Sequence, residues 1–146
     1  MKVVVQKVSC ASVKIDGKIT GEIGEGLLVL VGFSEGDNRE AIKWMCNKLV
    51  NLRIFPDEEH KMNKSVVDCN GGILLVSNFT LYGDAQKGFR PSFSKAAILT
   101  QAEPFYDFML EYLKNNYKLK IESGRFGAMM DVELINNGPV TIIIEK

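Results

Sequence analysis

The sequence predicts a mixed α and β fold, with predominantly antiparallel strands and two main helices packed on one side of them. Short apolar or β-branched runs recur along the chain, several of them introduced by glycine, and two segments show helical periodicity. A length of 146 residues is that of one ordinary domain. We therefore expect residues 1–146 to form a single domain.

Strands are predicted to open the chain. Val3–Val8 is rich in β-branched residues, and Ser12–Ile15 and Lys18–Ile23 are joined by Asp16-Gly17, a strong signal for a hairpin turn. Gly26–Val31 is apolar on both faces, which predicts a strand buried in the middle of the fold.

Two segments are predicted to be helices. Asp37-x-x-Glu40 has the form of an N-terminal capping box. It precedes apolar residues at helical spacing, which are Ile42, Met45, Cys46 and Leu49. The second helix is predicted over Gln101–Lys114, with Pro104 in its first turn. Its expected apolar face consists of Phe105, Phe108, Met109 and Tyr112.

The remaining apolar runs are predicted to be strands. Ile73–Leu81, introduced by two glycines, is expected to be a central strand. Leu119–Glu122, Met129–Ile135 and Val140–Ile144 are expected to close the chain. Turn chemistry alone predicts that Asn136–Pro139 is a hairpin turn between the last two.

Two long irregular segments, Pro56–Asn70 and Gly83–Ser94, are where we expect a functional site, because long ordered loops in compact domains are often functional.

The composition excludes several functional classes. Eighteen basic and eighteen acidic residues cancel, so binding along a long stretch of nucleic acid is not expected and any RNA contact must be local. The longest apolar run, Leu27–Val31, is far shorter than a membrane span, and the first residues do not resemble a secretory signal. We expect a cytoplasmic protein without a membrane partner.

The usual catalytic signatures are missing from the sequence. The single histidine, His60, lies in a charged run, which makes a conventional catalytic triad improbable. Three cysteines without a C-x-x-C pair argue against a zinc site, and no Gly-rich phosphate loop is present. We therefore expect no cofactor and no metal. The hydroxyls of Ser77 and Thr80 remain, but taken alone they are best interpreted as ordinary strand residues.

Three motifs together carry a family resemblance. Ser77–Leu81 (SNFTL), Lys87–Phe93 (KGFRPSF) and Asn137–Thr141 (NGPVT) occur in an order and spacing that resembles the D-aminoacyl-tRNA deacylases, also called D-tyrosyl-tRNA deacylases. The resemblance covers the whole chain. Asn78 departs from the family pattern, which usually has glutamine there, and Lys7 stands where arginine is usual.

The resemblance implies an activity and a set of site residues. The chain is expected to be a proofreading hydrolase that cuts the ester of D-aminoacyl-tRNA and releases the D-amino acid and tRNA. Ser77, Phe79 and Thr80 are implied as catalytic, the backbone N–H groups of the latter two serving a developing oxyanion. Asn78 and Met130 are implied to contact the terminal adenosine and its amino acid.

The resemblance also implies a homodimer. Gly138-Pro139 of one subunit, with a cis peptide bond, is expected to enter the partner's pocket and exclude L-amino acids. Lys87, Arg90 and Lys95 are candidate tRNA contacts, although solvated lysines and a structural arginine are an equal alternative.

Several alternatives stay open at this point. The nucleophile is either the Thr80 hydroxyl or a water molecule helped by the terminal ribose 2′-hydroxyl. The chain is alternatively a noncatalytic module that binds a nucleic-acid end through an adenosine. A third possibility is a related deacylase that acts on glycyl-tRNA or mischarged L-aminoacyl-tRNA.

Overall fold

The computed structural model describes residues Met1–Lys146 and contains eight strands, two α-helices and one short 3-10 helix. The strands are β1 (Lys2–Ile15), β2 (Lys18–Ile23), β3 (Gly26–Gly32), β4 (Phe55–Pro56), β5 (Met62–Lys64), β6 (Gly72–Ser77), β7 (Lys120–Ser123) and β8 (Asp131–Glu145). The α-helices are α1 (Arg39–Val50) and α2 (Leu99–Asn116), and the 3-10 helix is Phe79–Tyr82.

The long strand β1 organises the main sheet. On one side, β8 pairs antiparallel with β1 along almost the whole length of β1. On the other side of β1, β3 pairs with residues 2–8 and β2 pairs with residues 11–15. Beyond β3, strands β6 and β7 follow in parallel pairing. The predicted mixed class is confirmed, as is the hairpin at Asp16-Gly17 between β1 and β2.

Both faces of the central strand β3 are buried, which explains its continuous apolar run. Leu27, Val29 and Val31 face the larger core cluster, which includes the buried residues of both helices. Leu28 belongs to a smaller cluster on the other face, against which Leu30 packs. Gly26 permits the start of β3 to lie close to β6, since an added Cβ would sit 2.0 Å from the Gly72 carbonyl oxygen.

Helix α1 forms where it was predicted, but the predicted capping box is wrong. The N-cap is Asn38, whose Oδ1 accepts a hydrogen bond of 2.9 Å from the Ala41 backbone N–H. Asp37 is engaged elsewhere, because its carboxylate accepts from the Ser34 N–H and from the amino group of Met1. A short polar side chain one residue later therefore takes the capping position.

Helix α2 begins two residues earlier than predicted, so Pro104 lies in the second turn and not in the first. The helix buries Ala102, Tyr106, Met109 and Leu113. Of the face expected from the sequence, only Met109 is fully buried; Phe105, Phe108 and Tyr112 are half-buried at its margin. Neither α-helix has the length and apolar character needed to cross a membrane.

Strand β8 is one continuous strand, so the predicted hairpin turn at Asn136–Pro139 is wrong. Asn136 pairs with Val8, and Thr141 pairs with Gln6. Between these two pairs β8 advances by five residues and β1 by only two. The three extra residues form a bulge opposite Lys7. Turn-forming residues here push the chain out of the sheet without reversing its direction.

Tyr106 ties α2 to the sheet, and its loss should be measurable as lower stability. Its buried hydroxyl donates to the carbonyl oxygens of Leu75, at 2.9 Å, and Gly124, at 3.3 Å. We predict that Tyr106→Phe lowers the free energy of unfolding by about 1 kcal/mol, the usual net value of such a bond. Chemical denaturation measures this. Tyr112→Phe, on the same helix and without a hydroxyl hydrogen bond, is the control, and equal stability of the two variants would contradict the prediction.

Candidate active site

The largest cavity lies where β3 and β6 end. These parallel strands finish at the same edge, with Val31 paired to Ser77, and the Asn78 N–H donates to the Val31 carbonyl at 2.7 Å. The cavity has a volume of about 1350 Å³ and is lined mainly by apolar side chains. Ligand sites of open α and β sheets commonly occupy this position, at the carboxyl ends of parallel strands.

The polypeptide changes conformation at the cavity edge. The central strand predicted over Ile73–Leu81 ends at Ser77, and Phe79–Tyr82 forms a 3-10 helix. The first N–H groups of such a helix have no partner within it. The backbone N–H groups of Phe79 and Thr80 are therefore free of intrahelical bonds at the rim of the cavity.

The cavity contains polar side chains but no ionisable ones. Its polar lining residues are Gln6, Ser77, Asn78, Thr80 and Thr100. The Thr80 hydroxyl donates a hydrogen bond to Asn78 Oδ1. An amide oxygen is not a base, so Asn78 orients the Thr80 hydroxyl but does not remove its proton.

The apolar wall comes from four parts of the chain, within residues 28–33, 76–79, 93–102 and 126–134. Phe79 contacts Phe93 edge-to-face with ring centroids 5.2 Å apart. Met130, which the sequence placed in the site, is half-buried and lines the cavity. Its neighbour Met129 also lines the cavity and is 92% exposed, as are large parts of Phe79 and Leu99. This wall is open on the side of Met129.

Gly138-Pro139 is at the tip of the β8 bulge and does not line the cavity of its own chain. The peptide bond between the two residues is cis, and both residues are exposed. Asn136 braces the bulge: its Oδ1 accepts from the Val140 N–H at 3.0 Å, and its Nδ2 donates to Thr141 Oγ1 at 2.9 Å. One chain thus keeps the two predicted halves of the site apart.

The predicted loops differ in their relation to the cavity. Gly83–Ser94 borders it, since Phe93 is part of the lining, whereas no residue of Pro56–Asn70 lines it. His60 is exposed in the latter segment. Lys87, Arg90 and Lys95 are exposed near Phe93 and outside the cavity.

Sequence reasoning missed Gln6. It lies on β1 on the face opposite Val3 and Val5, and its Nε2 donates to Thr141 Oγ1 at 3.3 Å. The available signal was its position as the one polar residue within the apolar run Val3–Val8 that faces away from the helices. Gln6 connects the cavity floor with the braced end of the bulge.

Comparisons with known proteins agree on one family. The family model described as D-Tyr-tRNA(Tyr) deacylase matches residues 4–145. A D-aminoacyl-tRNA deacylase of Halothermothrix orenii is 54% identical over all of this chain and 97% of the relative, and that of Brevibacillus brevis is 52% identical over the full length of both.

Two solved structures share the fold. One described as c-Myc DNA Unwinding Element Binding Protein has a TM-score of 0.94 and 44% identity, covering 100% of this chain and 99% of that one. A probable eukaryotic D-amino acid tRNA deacylase has a TM-score of 0.81, with coverages of 98% and 97%. At 19% identity the latter likeness shows the fold alone.

Proposed function

Because the chain belongs to the D-Tyr-tRNA(Tyr) deacylase family, we propose that it hydrolyses the ester of D-aminoacyl-tRNA in the cytoplasm, as a proofreading enzyme. Water adds to the ester carbonyl, the bond to the ribose oxygen breaks, and a proton passes to that oxygen. The products are a free D-amino acid and intact tRNA. The catalytic groups are Ser77, Phe79 and Thr80.

The observation that carries this proposal is a large cavity with free backbone donors and no ionisable side chain. An aminoacyl ester is activated, so its hydrolysis needs mainly a positioned water and donors for the developing oxyanion. The N–H groups of Phe79 and Thr80 supply the donors. The terminal ribose 2′-hydroxyl, next to the scissile bond, relays the proton that no side chain is placed to take.

The role of Thr80 is positional. A hydroxyl becomes a competent nucleophile when an adjacent base removes its proton. The Thr80 hydroxyl donates to Asn78 Oδ1, and the cavity holds no histidine, lysine or carboxylate. Asn78 and Thr80 therefore act as one polar pair that contacts the terminal adenosine, and Met130 packs on the other side of it.

Chirality is set across the interface of a homodimer. The Gly138-Pro139 bulge of one subunit enters the open side of the partner's cavity, where its carbonyls exclude an L side chain. Two features support this arrangement. The bulge is exposed and outside its own cavity, and apolar Met129, Ile98 and Leu99 are exposed at the cavity mouth, as expected of a surface that a second copy covers.

A second function is favoured by one comparison. The solved structure described as c-Myc DNA Unwinding Element Binding Protein, at 44% identity, is named for binding DNA. The second candidate is therefore a noncatalytic module that binds a nucleic-acid end through an adenosine. Incubation with matched D- and L-aminoacyl-tRNA separates the two functions. Release of the D-amino acid supports the deacylase, and binding without release supports the binding module. Preferred cleavage of glycyl-tRNA or an L-aminoacyl ester would instead indicate a related deacylase of shifted specificity.

We predict that Thr80→Ala lowers kcat less than tenfold, because the backbone donors and the ribose hydroxyl remain. Loss of a covalent nucleophile typically costs several powers of ten. A substrate whose terminal ribose lacks the 2′-hydroxyl should be hydrolysed much more slowly. Thr100→Ala, which removes another hydroxyl of the cavity, is the control. A trapped acyl-Thr80 intermediate, or a folded but inactive Thr80→Ala protein, would refute the proposed mechanism.

We also predict that His60→Ala leaves the pH–rate profile of kcat/KM superimposable on that of the wild type. His60 is exposed in a segment that does not line the cavity, so its imidazole is not within reach of a substrate bound there. A tenfold loss of activity, or a shifted inflection, would show that the loop reaches the substrate.

The cross-subunit site can be tested by complementation. Ala128→Trp places an indole in the cavity, and deletion of residues 137–139 removes the three extra residues of the bulge. Each variant alone should be inactive or unselective. Mixed under conditions that allow subunit exchange, half of the dimers should be hybrids with one intact site, which restores about a quarter of the wild-type selective activity.

Two outcomes would contradict the cross-subunit site. The first is that the mixed variants regain no selective activity, as expected if each site used only residues of its own chain. The second is that the wild type keeps its D over L selectivity when it is diluted to monomer. Circular dichroism of each variant confirms that it is folded. Asn136→Ala, which removes the brace but keeps the bulge, should lower the D over L ratio of kcat/KM without abolishing hydrolysis.

A further inference from the structure

One aromatic side chain near the cavity is left entirely in solvent. Phe89 has a relative exposure of 107%, the largest among the exposed apolar residues. It lies in a closed loop whose base is formed by Asp84 and Ser92, which exchange two backbone hydrogen bonds of 2.7 and 2.8 Å. The loop thus holds the ring out from the body of the protein.

The base of this loop is attached to the 3-10 helix Phe79–Tyr82, which contains the proposed catalytic residues Phe79 and Thr80. The Gly83 N–H donates to the Thr80 carbonyl at 2.9 Å, one residue before the loop closes at Asp84. At the other end, Phe93 follows Ser92 directly and packs edge-to-face on Phe79. Both ends of the Phe89 loop are therefore fixed to the rim of the cavity.

The charges around Phe89 are positive. Lys87 lies two residues before it and Arg90 one residue after it, and neither takes part in any of the ion pairs. The one acid of the loop, Asp84, accepts a hydrogen bond from the Gln86 N–H at 3.0 Å. An aromatic ring between free cations is the combination with which proteins bind single-stranded nucleic acid, the base stacking and the phosphates meeting the cations.

We propose that Phe89 is a stacking platform for an unpaired nucleotide of the substrate, next to the terminal adenosine in the cavity. This rests on the proposed function, because it takes tRNA as the bound molecule. A second copy of the chain is a poorer occupant, since two like loops would bring their cations together. Phe89 is a binding residue in this proposal and takes no part in the hydrolysis.

The direct test uses an acceptor-stem RNA hairpin that carries no amino acid and has 2-aminopurine in place of the nucleotide before the terminal adenosine. Stacking on Phe89 should quench its fluorescence. Phe89→Ala should abolish the quenching and weaken binding about five- to a hundredfold, the usual range for loss of one stacked base. Phe89→Trp should restore both. Ile19→Ala, which removes another exposed apolar side chain on the distant β1–β2 hairpin, is the matched control.

Salt dependence separates the ring from the cations. Lys87→Ala should reduce the slope of log K against log salt by about 0.7, the value for one phosphate contact with a single strand. Phe89→Ala should leave the slope unchanged. Lys18→Ala, another exposed and unpaired lysine, controls for net charge.

Kinetics distinguish failure of this inference from failure of the proposed function. The kcat/KM for D-aminoacyl-tRNA, divided by that for the short ester D-aminoacyl-adenosine, should fall in Phe89→Ala through a higher KM for tRNA. An unchanged ratio, with wild-type binding and quenching, overturns the role of Phe89. The role of Phe89 is also overturned if Phe89→Ala alters the association of the subunits but not the affinity for RNA. A wild-type protein that hydrolyses neither ester refutes the deacylase itself, whatever the RNA binding shows.

Discussion

The parallel pairing of β3 with β6 is the constraint on which the rest of the structure depends. Because both strands run through the middle of the sheet, their alternating side chains must fill a core on each face. Parallel strands also end at the same edge, so Val31 and Ser77 finish side by side and the chain passes from β6 through Asn78 into the 3-10 helix Phe79–Tyr82. The buried interior and the position of the cavity thus have one cause.

The chemistry of the cavity follows from what its walls contain. Apolar side chains form most of the walls, and where a bound substrate displaces water from them each hydrogen-bond donor interacts more strongly with developing charge. A histidine or carboxylate would pay a desolvation cost in this place, and none is present. Backbone N–H groups carry no net charge and cannot titrate. A site of this kind suits an activated ester, whose own leaving group carries a hydroxyl next to the reacting bond.

The sequence predicted those elements whose signal is local and repeated. The buried strand Gly26–Val31, the Asp16-Gly17 hairpin and the apolar face of α1 all follow from periodicity or turn chemistry. Prediction from the sequence failed where contacts between residues distant along the chain determine the structure. Asp37 resembles a helix cap in sequence, but its carboxylate pairs with the amino group of Met1, and the end of β6 at Ser77 is set by pairing with β3. Motifs of a known family, not periodicity or composition, led to the proposed site residues Ser77, Phe79 and Thr80.

The bulge in β8 shows most clearly why turn residues alone mislead. Asn136–Pro139 contains residues that favour chain reversal, but strand pairing resumes on its far side, where Thr141 meets Gln6. The residues before and after the bulge pair with the same strand, β1, so reversal was never available to them. A bulge that leaves the direction of a strand unchanged projects its central residues away from the sheet. In β8 these residues are Gly138 and Pro139. The exposed bulge of one chain and the open cavity wall beside Met129 are the two surfaces that the proposed homodimer would bring together.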